Sequence, residues 1–201
     1  MIRSMLFLSL AAGMSLGSST AFGAVTVLGG GIAHECFIAA KFTPGAVSGI
    51  SLCDRALNED FLTSTDRAAT YVNRGVIEAA TGQADRAMED YQRAIKLRPS
   101  LGDAYIDLGA TLIARQEYDD ALIQINTGIS LDPASAEAGY FNRGVIEEIR
   151  GNFLDAYHDY KRALAIVPDF APALERLKYF KIVQVPATQP GGSAATPVAQ
   201  P

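Results

Sequence analysis

Apolar residues fall at helical spacing through most of this chain, in short paired runs. Tyr71, Val72, Val76 and Ile77 mark one helix, and after Gly82 a second carries Ala87, Tyr91, Ala94, Ile95 and Leu97. Pro99 stops that second helix, because proline cannot continue one and biases the residue before it away from helical angles. The pair then returns. Tyr71, Gly75, Ala87, Tyr91, Ala94 and Pro99 recur 34 residues on as Tyr105, Gly109, Ala121, Ile125, Gly128 and Pro133. They recur 35 residues later as Tyr140, Gly144, Ala156, Tyr160, Ala163 and Pro168, one residue having entered between Pro133 and Tyr140. A fixed period of this length predicts stacked helical units that bury their apolar faces against their neighbours. Such stacks present surfaces to other molecules and seldom carry chemistry.

The repeated small residues predict where helices touch. Gly75, Gly109 and Gly144 lie in mid-helix, where glycine costs ~1 kcal/mol relative to alanine. A close approach of a partner helix explains that cost, with Ala87, Ala121 and Ala156 serving it from the second helix. The units turn at Gly82, at Arg115 to Glu117 without a glycine, and at Gly151–Asn152. Ser100 with Asp103, and Asp132 ahead of Pro133, are placed to cap the following first helices.

This pattern resembles the tetratricopeptide repeat family: a helix–turn–helix with an aromatic, a small residue four positions later, two alanines, an aromatic and a closing proline. The resemblance covers residues 68–101, 102–135 and 137–170. It implies an all-α, right-handed α-solenoid. The sequence departs from the family in three places. The first aromatic is always tyrosine, Arg74 and Arg143 stand where leucine is commoner (Leu108 keeps that place), and Glu78 and Glu147 take places often held by tyrosine. Arg74 with Asp90 and Arg143 with Asp159 are candidate ion pairs across each helix pair; separate solvated charges are the other reading. In the family, first helices line a concave groove that receives partner segments. The matching positions here are Val72, Asn73, Val76 and Ala80, then Asp103, Ile106, Asp107 and Ala110, then Ala138, Phe141, Asn142 and Val145. No lysine or arginine stands among them, so the groove does not match the kind that clamps a C-terminal carboxylate. Asn73, Asp107 and Asn142 fall at equivalent places and suit hydrogen bonding to an extended backbone; they equally suit bridging helices within the stack.

Both flanks extend the stack. Ile32, Cys36, Phe37 and Ala40 form one stripe and Ile50, Cys53 and Leu57 another, predicting a degenerate first pair over about 31–58 within a domain of 31–185. Leu174, Leu177 and Phe180 among charged residues predict a capping helix over 170–183. Residues 186–201, with four prolines and Gly191–Gly192, read as a disordered tail. Residues 1–24 read as an export signal: Arg3, an apolar run from Met5 to about Leu16, then small residues, with cleavage after Ala21, Gly23 or Ala24. A membrane-anchoring helix is the competing reading, and the run is shorter than the ~20 residues a span needs.

Charge and cysteine content narrow the function. The net charge is −5 with basic residues scattered, which argues against nucleic acid as a partner. The two cysteines, Cys36 and Cys53, face each other across the first pair and predict a disulfide in an oxidising compartment, against two buried thiols. His34, Glu35 and Cys36 are too close in sequence to share a metal, and His158 has no second histidine near it. No nucleophile motif or phosphate-binding loop is present, and Gly29–Gly31 lacks the residues that would make one. No catalytic residue, metal or cofactor is expected. The expectation is an exported adapter, periplasmic if bacterial and otherwise secreted, that binds a protein or peptide segment. A self-associating structural protein and an accessory subunit of an envelope enzyme are the alternatives.

Overall fold

The computed structural model describes residues 3–6, 20–27, 31–180 and 182–185. Among them are nine helices: α1 (Ile32–Phe42), α2 (Ser48–Glu59), α3 (Ser64–Ala80), α4 (Ala84–Leu97), α5 (Gly102–Ala114), α6 (Tyr118–Leu131), α7 (Glu137–Ile149), α8 (Phe153–Ile166) and α9 (Ala171–Leu177). A two-stranded antiparallel ladder joins β1 (Arg3–Leu6) to β2 (Ile182–Val185). The densest helix contacts are within the pairs α3–α4, α5–α6 and α7–α8, followed by α1–α2, and then by the contacts that join neighbouring pairs. The first helices α3, α5 and α7 also touch in succession and so form one continuous wall. This is an all-α solenoid.

Each repeat closes on its mid-helix glycine. A Cβ added at Gly75 would lie 2.6 Å from the Tyr91 ring, and one at Gly144 would lie 2.7 Å from the Tyr160 ring. At Gly109 the obstacles are Ile125 at 2.5 Å and the Ala121 carbonyl at 3.1 Å. No side chain larger than hydrogen fits there without movement. Further glycines let α6 close on both of its neighbours: a Cβ at Gly128 would meet the Gly102 carbonyl at 2.6 Å and Ile106 at 2.6 Å within the second repeat, and one at Gly139 would meet Ile129 at 2.8 Å across the contact between the second and third repeats.

The turns inside the repeats share one geometry. The chain passes through positive φ at Gly82 (79°), Gln116 (64°) and Gly151 (79°). In each, the next residue donates its N–H back to the last turn of the first helix: Gln83 to Glu78 at 2.7 Å, Glu117 to Leu112 at 2.9 Å and Asn152 to Glu147 at 2.8 Å. These are Schellman closures, which favour glycine in the left-handed position; Gln116 adopts it at a steric cost.

Several boundaries depart from expectation. The first clear helix begins at Ser64, four residues early, because Thr63 caps it: its Oγ1 accepts the Asp66 N–H at 3.1 Å and donates to the Asp66 carboxylate at 2.7 Å. Ser100 and Asp103 do not cap α5, which starts after Leu101 with no side-chain cap, and Asp132 ends α6 instead of capping α7. The capping helix expected over 170–183 ends at Leu177. Lys178 and Tyr179 turn, and β-branched Ile182 and Val183 then favour the extended conformation that they adopt in β2. Even so, the short α9 and its turn cover the last repeat: Ala173 is buried, and the Phe180 ring packs on Tyr160 and Tyr157 at 5.8 and 6.0 Å. The proposed tail, 186–201, lies outside the described residues, as does most of the proposed signal.

Cys36 and Cys53 form a disulfide between α1 and α2, with Cα atoms 4.8 Å apart. The ion pairs also form. Arg74 donates through Nε and Nη2 to both oxygens of Asp90 at 2.6 and 2.9 Å, and Arg143 does the same to Asp159 at 2.7 and 2.9 Å. Both carboxylates are buried and each has a second arginine, Arg93 or Arg162, one turn later. Bidentate, largely desolvated geometry makes these pairs stronger than surface bridges. Leu108 leaves the middle repeat without such a pair. Glu78 is buried beside Arg74 and Asp90, and burial pushes its carboxyl up to about 7.

Candidate peptide-binding groove

The wall made by α3, α5 and α7 carries Asn73, Asp107 and Asn142, each two residues before its repeat's glycine. Their spacing by one repeat puts all three at the same height on successive helices. All three are buried. A buried amide must find a partner for both its donor and its acceptor when it leaves water, and a buried carboxyl must find partners for its oxygens.

The partner is the chain itself. Residues 20–27 run extended across the three helices. Asn142 accepts the Ala21 N–H at 2.9 Å and returns its Nδ2 to the Ala21 carbonyl at 2.8 Å. Asn73 accepts the Val25 N–H at 2.8 Å and returns its Nδ2 to the Val25 carbonyl at 2.8 Å. Between them, Asp107 accepts the Gly23 N–H at 3.0 Å. The rungs fall on alternate residues, 21, 23 and 25, because alternate residues of an extended chain face the same way. One repeat of the scaffold therefore spans two residues of the bound segment. The segment runs opposite to the repeats, from the third to the first.

Apolar contacts accompany the rungs. Ala21 and Val27 are buried, and Phe22, Ala24 and Val25 pack against the core. Recognition is otherwise by main chain. A Cβ at Gly23 would meet nothing within 4 Å, so the middle rung imposes no demand for glycine.

The other sequence-predicted groove residues divide by role. Val72, Val76, Ala110 and Val145 are buried in the same core. Ile106 packs between repeats against Gly128 and Gly139. Phe141 is an internal residue, its ring 5.6 Å from Tyr160 and 5.8 Å from Phe170. Both are buried in the core cluster against which Phe22, Ala24 and Val25 also pack. What sequence reasoning missed was the occupant: Thr20–Val27 has no helical period and falls largely inside the segment read as a signal.

Electrostatically the middle rung is unlike its neighbours. Burial pushes the Asp107 carboxyl well above the usual carboxylate range; the Gly23 N–H opposes this and nearby Asp103 adds to it. Its Oδ2 is buried and has no hydrogen-bond partner. Elsewhere, among the described residues, no group of three or more His, Cys, Asp or Glu is arranged to hold a metal ion. His158 lies in an open polar pocket of about 240 Å³ with Arg143, Glu147, Asp155, Asp159 and Arg162. No helix among the described residues is long and apolar enough to cross a membrane.

Comparison with known proteins agrees with this architecture. A family model described as "Tetratricopeptide repeat" matches residues 78–140. The mouse protein O-mannosyl-transferase TMTC1 is 31% identical over 88 residues, covering 42% of this chain and 9% of that protein. The lipoprotein NlpI homolog of Haemophilus influenzae is 29% identical over 99 residues, covering 49% of this chain and 31% of that one. Both alignments thus span only a minor part of the relative. Among solved structures, the first TPR of Spaghetti (RPAP3), bound to the HSP90 peptide SRMEEVD, superposes with a TM-score of 0.54 at 18% identity, over 58% of this chain and 94% of that one. Residues 78–140 thus match the tetratricopeptide repeat, and the 34- to 35-residue register and glycine-closed helix pairs carry the same repeat architecture to either side of them.

Proposed function

We propose that this chain is an exported scaffold that recruits a partner protein by taking an extended segment of it into the groove of α3, α5 and α7. It acts by binding and not by catalysis. The observation that carries this reading is the three-rung ladder to residues 20–27, which displays the geometry an external segment would adopt. The ligand class is an uncharged, extended stretch with small or apolar side chains. An anionic end is disfavoured by the absence of lysine and arginine from the wall positions. That a fold neighbour holds a peptide fits the same use of the fold.

The expected export signal bears directly on the ladder. Cleavage after Ala21 would remove the rung to Asn142, and cleavage after Ala24 would also free Asp107. Processing would thus open the groove from its third-repeat end. Self-association is the second reading, because every full copy carries a segment that fits this groove.

The test empties the groove in the full chain. Gly23→Pro with Val25→Pro removes two of the three N–H donors, each hydrogen bond being worth roughly 1 kcal/mol. That variant should bind a synthetic peptide of sequence 20–27 in trans, and adding Asn142→Ala should weaken binding about fivefold or more. His158→Ala should leave it unchanged. Peptide binding indifferent to Asn142 would reject the groove, and concentration-dependent dimers of the unmodified chain by light scattering would favour self-association.

A further inference from the structure

Two of the three rungs are reciprocal and one is half-made. Asn73 and Asn142 each accept an N–H and donate back to the carbonyl of the same residue. Asp107 occupies the equivalent place on the middle helix and accepts the Gly23 N–H through Oδ1. Its other oxygen, Oδ2, is buried and has no hydrogen-bond partner. A carboxylate has no proton to give, so an ionised Asp107 would face the bound chain with one acceptor too many in a site closed to water. A carboxylic acid has one.

We propose that Asp107 holds a proton on Oδ2 and donates it to the carbonyl of the residue whose N–H it accepts, so that the groove retains an extended chain only while this acid is neutral. This rests on the groove reading above and makes Asp107 the specificity residue of its middle subsite. Neutral, it matches the donor-and-acceptor face of one peptide unit. Ionised, it repels the carbonyl and draws water into the groove.

The charged surroundings favour the neutral form. Asp103, one turn earlier on α5, adds a like charge. The Tyr91 phenol on α4 interacts with Asp107, and burial raises that phenol too, keeping it uncharged. Burial, the Gly23 N–H and Asp103 are the influences that act on the Asp107 carboxyl itself. Because the bound segment is part of what buries Asp107, the two equilibria are linked. Occupancy is complete while the acid is protonated and declines as pH rises through its raised titration point, with one proton lost per segment released.

The experiment uses the full 201-residue chain, with carboxyl carbon shifts for Asp107 and hydrogen exchange at Ala21, Gly23 and Val25, corrected for the intrinsic pH dependence of exchange. Protection of the three amides should fall at least tenfold as Asp107 ionises, while Ile125 in the core stays protected. Asp107→Asn, which supplies the donor permanently, should keep the segment protected at every pH. An ionised Asp107 signal while the segment is still protected would overturn the proposal, as would an unchanged pH loss in the asparagine variant. If the proton idea alone is wrong, the three amides stay protected in both proteins. If they are exposed at all pH values in both, the groove reading falls and takes this one with it.

Discussion

The first helix pair and the three repeats solve the same packing problem by different chemistry. In the repeats, a glycine on the first helix meets a side chain 16 residues later on the second: Gly75 with Tyr91, Gly109 with Ile125, Gly144 with Tyr160. In α1–α2 the corresponding place is taken by Cys36 and Cys53, 17 residues apart and covalently joined. A large ring laid over a glycine binds by area and shape, and it works in any redox state. The disulfide binds by connectivity, and its hold disappears on reduction. The lesson is that a unit can lose the small-residue signature of its family and keep the closure, provided that its compartment is oxidising.

The largest effect should come from breaking closure by packing. Gly109→Leu forces a side chain into Ile125 and against the Ala121 carbonyl, which cannot step aside as a flexible side chain would. A loss of about 3 kcal/mol or more in urea-induced unfolding is expected from such overpacking. An unchanged midpoint would show that the helices do not need this approach.

Breaking closure by connectivity comes next. Cys36→Ala with Cys53→Ala should cost about 2 to 3 kcal/mol in the chain-entropy model for a loop of this size. The loss should be local: exchange protection should fall in α1 and α2 and hold in α5 and α6. A uniform loss across all helices would show that the first pair is not a separable closure.

A third change asks whether the polar fastener of the outer repeats is needed, since the middle repeat has Leu108 and Gln124 in its place. Arg143→Leu alone leaves buried Asp159 with only Arg162 and should cost about 2 kcal/mol. Adding Asp159→Gln copies the middle repeat and should recover most of that loss. If the double variant is as unstable as the single, the pair contributes more than its own compensation.

The smallest effect concerns the turns. Gln116→Gly gives the second repeat the residue that the first and third already have at positive φ. Thermal unfolding should show a gain of about 0.5 to 1 kcal/mol. A loss would mean that the Gln116 side chain makes up for its backbone.

The solenoid was legible because its signals are local and repeated: a glycine, an aromatic and a proline returning at one spacing leave few alternatives. The same spacing placed Asn73, Asp107 and Asn142 on one wall. Ile106 and Phe141 are less sharply defined by it, since a first helix in a stack turns one face to its own partner and another to the next unit, and apolar residues suit both. The occupant was illegible for a different reason. An extended segment held by its main chain needs no particular side chains, and Ala21, Gly23 and Val25 look like any small residues near a processing site. The end of α9 was misjudged because apolar spacing continued through Phe180 while helix propensity did not.

The two-residues-per-repeat register makes the array a ruler. Each added unit carrying an asparagine at the wall position would lengthen the measured stretch by two residues and multiply the affinity by a similar factor. Each lost unit would shorten it by the same step. A bound chain can slip along this scale by two residues at little cost, but a slip of one turns every rung toward the wrong face. Such a scaffold measures how long a stretch stays straight, and it asks of the side chains only that they be uncharged and small or apolar.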